Sequence, residues 1–199
     1  MELTELQELD KLHIQQKTSL TRHRYRVYAD NGKGKPGDLV AFVDQDTSGL
    51  KEKEVIYTGE DKSVELARFE ARQLMDVAAA FDVFTPEGEK IGWFQREVSK
   101  SLYRTTWSLT QEGMPPLKVI ERSKFTAVAR RIWMWLPLVG DFPYPVRYHF
   151  DFVRDDAVIG GVDKTGRLAD NYLAWSQEPK LDRRLMIAMG VVLDFRQGR

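Results

Sequence analysis

The run Leu185-Met-Ile-Ala-Met-Gly-Val-Val-Leu193 is apolar at every position. As the middle of a helix from Leu181 to about Arg196, it has no polar stripe at any angle, so it must be buried on all sides. Nine residues fall far short of the ~20 that span a bilayer. The run therefore needs a protein sheath, and a sheet closed around it would supply one. A buried central strand is the competing reading, because periodicity does not separate the two for an apolar run. Gly190, Val191 and Val192 are weak helix formers and keep that alternative open.

The preceding chain reads as short strands and turns. Tyr25 and Val27 mark a strand before the wide loop 31–38, and Leu39 to Val43 marks the next. Glu54 to Tyr57, Val64 to Phe69, Phe81 to Phe84 and Ile91 to Phe94 follow, the last two joined by the turn Pro86-Glu87-Gly88. Leu102 to Leu109 alternates, with Tyr103, Thr105, Trp107 and Leu109 on one face. Tyr148 to Phe152, Val158 to Val162 and Asn171 to Trp175 complete the series. Many short strands at close spacing predict a closed or nearly closed antiparallel sheet, a mainly β fold.

Two segments differ. Leu3, Leu6, Leu9 and Leu12 recur every third residue, which predicts an amphipathic arm over residues 1–12 ahead of a single domain over 13–199. That arm would pack on the body or on a partner; a frayed leader is the competing reading. Ser123 to about Trp133 reads as a helix with Phe125, Val128, Ala129 and Ile132 on one face, limited by Pro137.

Lys+Arg and Asp+Glu number 30 each, so the net charge is zero, which argues against an electrostatic nucleic-acid binder. There is no Cys, which excludes disulfides and thiolate zinc sites and fits a reducing compartment. The first residues carry acids where a signal peptide needs bases. The expected location is the cytoplasm, with any membrane contact peripheral.

The order of these features resembles a known group. Leu12-His-Ile-Gln-Gln-Lys precedes Tyr25-Arg-Val-Tyr. Then come Met75-Asp-Val, Phe81-Asp-Val-Phe-Thr-Pro-Glu-Gly-Glu-Lys-Ile-Gly-Trp-Phe, Tyr103-Arg-Thr-Thr-Trp-Ser-Leu, Glu121-Arg-Ser and Leu181-Asp-Arg-Arg-Leu. This resembles the Tubby C-terminal-like superfamily, which includes the LURP-one-related proteins and the phospholipid scramblases, over roughly Leu12 to Arg199. The resemblance implies a roughly twelve-stranded antiparallel barrel enclosing a hydrophobic C-terminal helix. It also implies a binding module rather than an enzyme, since Tubby domains bind phosphoinositides at membranes. No head-group ligand of that family matches here residue by residue. The scramblase calcium loop is absent, because Asp155, Asp156, Asp163 and Asp170 are wrongly spaced for Asp-x-Asp-x-Asp-Gly.

Catalytic chemistry has no motif to rest on. His13, His23 and His149 form no His-x-x-x-His pair; His149 and Asp151 share a strand face and read as a solvated pair. Ser108 and Ser123 lack a Gly-x-Ser-x-Gly setting, and Gly32-Lys-Gly-Lys-Pro-Gly-Asp lacks the spacing of a phosphate loop. No catalytic residue, metal or cofactor is expected. The basic groups say more. Arg22, His23, Arg24 and Arg26 form one cluster, and Arg130 and Arg131 another. Arg130, Arg131, Trp133 and Met134 fall together on the expected internal helix and suit a lipid or partner interface, with the ring at head-group depth and guanidinium on phosphate. The same residues also fit a local closure of the barrel end. Arg183 and Arg184 open the final helix against its dipole and read as an anchor, with Asp182 helping one of them. Two functions stay open: recognition of anionic phospholipid head groups, or a protein–protein or regulatory scaffold without lipid binding.

Overall fold

A computed structural model describes residues 3–19, 21–46, 53–72, 79–97, 105–123, 149–166 and 171–197. A short helix α1 (Leu3–Gln7) precedes twelve strands: β1 (Lys11–Thr18), β2 (Arg22–Asp30), β3 (Pro36–Asp46), β4 (Lys53–Tyr57), β5 (Glu65–Ala71), β6 (Ala80–Phe84), β7 (Lys90–Arg96), β8 (Thr106–Gln111), β9 (Leu117–Glu121), β10 (His149–Arg154), β11 (Ala157–Lys164) and β12 (Asn171–Ser176). Helix α2 (Arg183–Gln197) follows them. Each strand pairs antiparallel with the next, and β12 returns to β1, with Leu12 opposite Ala174 and Ile14 opposite Tyr172. The result is a closed barrel, and among the described strands none has a free edge.

The wall obeys the period of two that a half-buried strand requires. Leu12 and Ile14 in β1, Tyr25 and Val27 in β2, and Leu117 and Val119 in β9 are buried. Their neighbours in sequence are more exposed. The inward side chains do not fill a twelve-stranded barrel by themselves; a helix of about 10–12 Å diameter does. From Leu185 to Leu193 the side chains of α2 have no exposed surface. The helix packs against β5, β7 and β12. Two glycines let helix and wall approach. A Cβ on Gly190 would lie 2.6 Å from Ile14 Cδ1, and one on Gly92 would lie 2.4 Å from the Thr110 carbonyl oxygen and 3.0 Å from Leu185 Cδ1. Gly190 thus trades helix propensity for close approach to the wall. Phe81, Phe94 and Trp107 cluster in the same core, Phe81 stacked on Phe94 and Trp107 edge-on to Phe94, with centroids 5.3 to 6.4 Å apart.

The sequence reading is corrected at two strands. β1 and β9 lie beyond the expected series. The three-residue leucine spacing reflects two elements, since α1 ends at Gln7 and Leu12 belongs to β1. Leu6 is buried in this chain's own core and Leu3 stays exposed. The helix expected from Ser123 to Trp133 falls, beyond Ser123, outside the described residues.

Two glutamines and two arginines hold the entry to α2. Gln7 Nε2 donates to the carbonyls of Pro179 (2.9 Å) and Leu181 (2.8 Å), and its Oε1 accepts from Arg183 N (3.2 Å). Gln111 Oε1 accepts from Asp182 N (2.7 Å) and its Nε2 donates to Lys180 O (2.8 Å). Asp182 caps the helix by accepting from Arg184 N (2.8 Å), and it also pairs with the Arg184 guanidinium (2.7 Å). Arg183 is buried. Its guanidinium donates to Leu9 O (2.5 Å), Leu181 O (2.6 Å) and Glu178 O (3.1 Å). Burial pulls its pKa below the usual guanidinium value, with Asp10, Asp182 and Glu178 opposing.

At the other end, near the C-terminus of α2, Asp194 is buried. Tyr25 OH donates to its Oδ2 (2.8 Å), Tyr172 OH donates to its Oδ1, and Gln16 Nε2 donates to Tyr25 OH (3.0 Å).

Candidate functional site

Alternation splits the Arg22–Arg26 cluster between the two faces of β2. His23 turns toward Thr18 Oγ1 and Gln16 Nε2, at 3.1 and 3.3 Å from its Nδ1. Arg22, Arg24 and Arg26 point outward. The register adds Lys17 of β1 directly opposite Arg24, and Asp44 of β3 on Arg24's other side. Like charges facing across a ladder cost stability; here Asp44 beside Arg24 and the nearby Glu60 offset part of that cost.

The turn between β4 and β5 completes the face. Lys62 Nζ pairs with Asp44 Oδ2, and Glu60 takes Arg26 in a bidentate grip of 2.7 and 2.8 Å. Lys62 holds a left-handed backbone (φ 57°), which is uncommon for a residue with a side chain. Asp61, in the same turn, accepts from Ser63 N at 3.4 Å. Asp44 is only 6% exposed; burial raises its pKa, but Lys62, Arg22 and Arg24 together hold it below the usual carboxylate range. Glu60 is lowered too, chiefly by its bond to Arg26, with the charges of Arg26, Arg24 and Lys17 adding.

What distinguishes the face is unspent hydrogen-bonding capacity. Arg26, Arg72, Arg122, Arg154 and Arg184 each donate to a carboxylate within 3.0 Å. Arg22 and Arg24 approach Asp44 only at 3.6 and 3.5 Å, and among the described residues neither guanidinium makes a hydrogen bond. Their side chains are 40% and 50% exposed. Two half-exposed forks with free donors beside two lysines can grip an oxyanion.

Other candidates are occupied. The amides of Gly32 and Gly34 donate to Asp30 Oδ1, and those of Lys33 and Lys35 donate to Asn31 Oδ1, so the glycine-rich loop turns its donors inward. The His149–Asp151 pairing is corrected: His149 Nδ1 meets Asp163 Oδ1 at 2.7 Å, while Asp151 takes Arg122 at 2.6 Å. Trp175 Nε1 donates to the second oxygen of Asp163 (3.1 Å). Arg183 spends its donors on backbone carbonyls, as described above. A depression of about 270 Å³ lies on the outer face of β7 and β8, lined by Lys90, Ile91, Gly92, Trp93, Thr110 and Glu112. Its Lys90 is committed to Asp82 (2.5 Å), and Arg72 stacks on Trp93 at 4.9 Å. Among the described residues no group of three or more His, Asp or Glu could hold a metal ion, and no helix is long and apolar enough to cross a membrane.

Arg130, Arg131, Trp133 and Met134 lie outside the described residues. Sequence reasoning noticed the Arg22–Arg26 cluster but missed Lys17, Asp44, Glu60 and Lys62. Recognising Leu12 and Ile14 as a period of two would have placed Lys17 beside Arg24; nothing in the sequence brings the 58–64 turn across β3. No family model, curated protein or solved structure matches this chain.

Proposed function

We propose that the chain is a non-enzymatic, Tubby-like binding module that recognises anionic phospholipid head groups at a membrane surface through the outer face of β1 and β2. The observation that carries this reading is the pair Arg22 and Arg24, half-exposed and without hydrogen-bonded partners among the described residues. The helix supports it as well: α2 fills the barrel, so recognition belongs on the outside. Arg130, Arg131, Trp133 and Met134 are proposed as a further contact with the same surface.

Co-sedimentation with vesicles tests the reading. Wild-type protein is expected to pellet with anionic vesicles and not with neutral ones, and to be released by salt. Each basic residue near an anionic surface contributes about 1 kcal/mol, so Arg22→Gln/Arg24→Gln should weaken binding by roughly thirtyfold. Equal binding of the double variant would remove this face as the site. Absence of binding at every composition would favour the protein-scaffold function.

A further inference from the structure

The turn between β4 and β5 does something that strand pairing does not require. It reaches over β3, where Lys62 meets Asp44, to β2, where Glu60 meets Arg26. Hydrogen bonds from Thr58 N to Val64 O (3.0 Å) and from Lys62 N to Gly59 O (3.2 Å) fix the turn. Glu60 presents two carboxylate oxygens to the Arg26 fork, the geometry in which a phosphate would bind. Its side chain is 48% exposed, and the charges of Arg24 and Lys17 also act on it. The basic face therefore already holds an anion at one edge, tethered by the chain and open to replacement from solvent.

We infer that Glu60 is a specificity-determining residue of this face, a tethered competitor that excludes singly charged head groups and yields to a phosphomonoester. This rests on the anionic-surface reading above. A carboxylate or phosphodiester brings one charge, the same as Glu60, and gains nothing by displacing it. A phosphomonoester brings about −1.5 to −2 charge at neutral pH and three acceptor oxygens. It can span the free forks of Arg22 and Arg24 and take Arg26 from Glu60. Lys62, held on Asp44 by the same turn, keeps its charge beside the site in either state.

The probes are vesicles of neutral lipid carrying either phosphatidylserine or phosphatidate at matched surface charge. Wild-type protein is expected to prefer phosphatidate. Glu60→Gln, a change at an exposed turn position, is expected to raise binding to phosphatidylserine by roughly fivefold while changing phosphatidate binding less, so the preference shrinks. An unchanged preference in Glu60→Gln, with both proteins still bound to vesicles, overturns the inference and leaves the anionic-surface reading standing. If wild-type protein binds neither vesicle, both fail together. Inorganic phosphate separates lipid from free ion. Vesicle binding without stabilisation against urea by phosphate alone is expected; stabilisation by phosphate without vesicle binding overturns the lipid as occupant.

Discussion

Arg183→Met is expected to destabilise the fold by about 3–5 kcal/mol, the cost of losing three charge-assisted hydrogen bonds from a buried guanidinium. The side chain is 1% exposed, and its guanidinium donates to the carbonyls of Leu9, Leu181 and Glu178. Asp10, at 3.8 Å, is mostly exposed and adds little. Methionine keeps much of the volume and none of the donors; Leu181 O keeps Gln7 and Glu178 O keeps Leu181 N, but Leu9 O loses its guanidinium where water has little access. Domains of ordinary stability have about 5–15 kcal/mol in total, so the variant would sit near the limit of folding. Arg183→Lys should fall between the two, because one ammonium does not reproduce a planar fork aimed at three carbonyls. Urea unfolding followed by circular dichroism reads the difference. A midpoint within error of wild type would mean that the carbonyls rehydrate and that Arg183 is not the anchor of α2.

Asp194→Ala is expected to cost about 2–4 kcal/mol, lowering the melting temperature by roughly 4–16 °C for a chain of this size. The carboxylate accepts from Tyr25 and Tyr172, both buried, and Gln16 extends the chain of bonds. It also lies near the helix C-terminus, where the dipole disfavours negative charge. Its bonds must therefore offset both burial and dipole. Alanine would leave two phenols without their acceptor. Asp194→Asn retains one oxygen and should lose about half as much. The combination Tyr25→Phe/Asp194→Ala checks the assignment: coupling of about 1–2 kcal/mol is expected if the bond between them is what is lost. Strictly additive losses would place the cost in packing instead.

The core of the barrel was legible because its residues are extreme. No exposed element tolerates Leu185 to Leu193, and most strands alternate plainly. Two strands hid for local reasons. In β1 the leucine spacing from Leu3 to Leu12 imitates a helix across an element boundary. In β9 the inward series Leu117, Val119, Glu121 ends in a buried acid that breaks the apolar pattern. The candidate face was half legible. Three arginines spaced by two residues declare an outward stripe once the strand is granted. Glu60 and Lys62 reach that stripe only through tertiary folding, and local composition carries no trace of it.

The closed wall and its filled interior also dictate an order of assembly. The helix follows all twelve strands in the chain, and the seam between β1 and β12 joins residues as distant as Leu12 and Ala174. A wall sealed before the helix arrived would have to reopen to admit it. The helix therefore serves as a mandrel, with the first and last strands meeting around it. Such late, long-range closure makes for slow folding, and until the seam forms both of those strands present unpaired edges to any neighbouring chain.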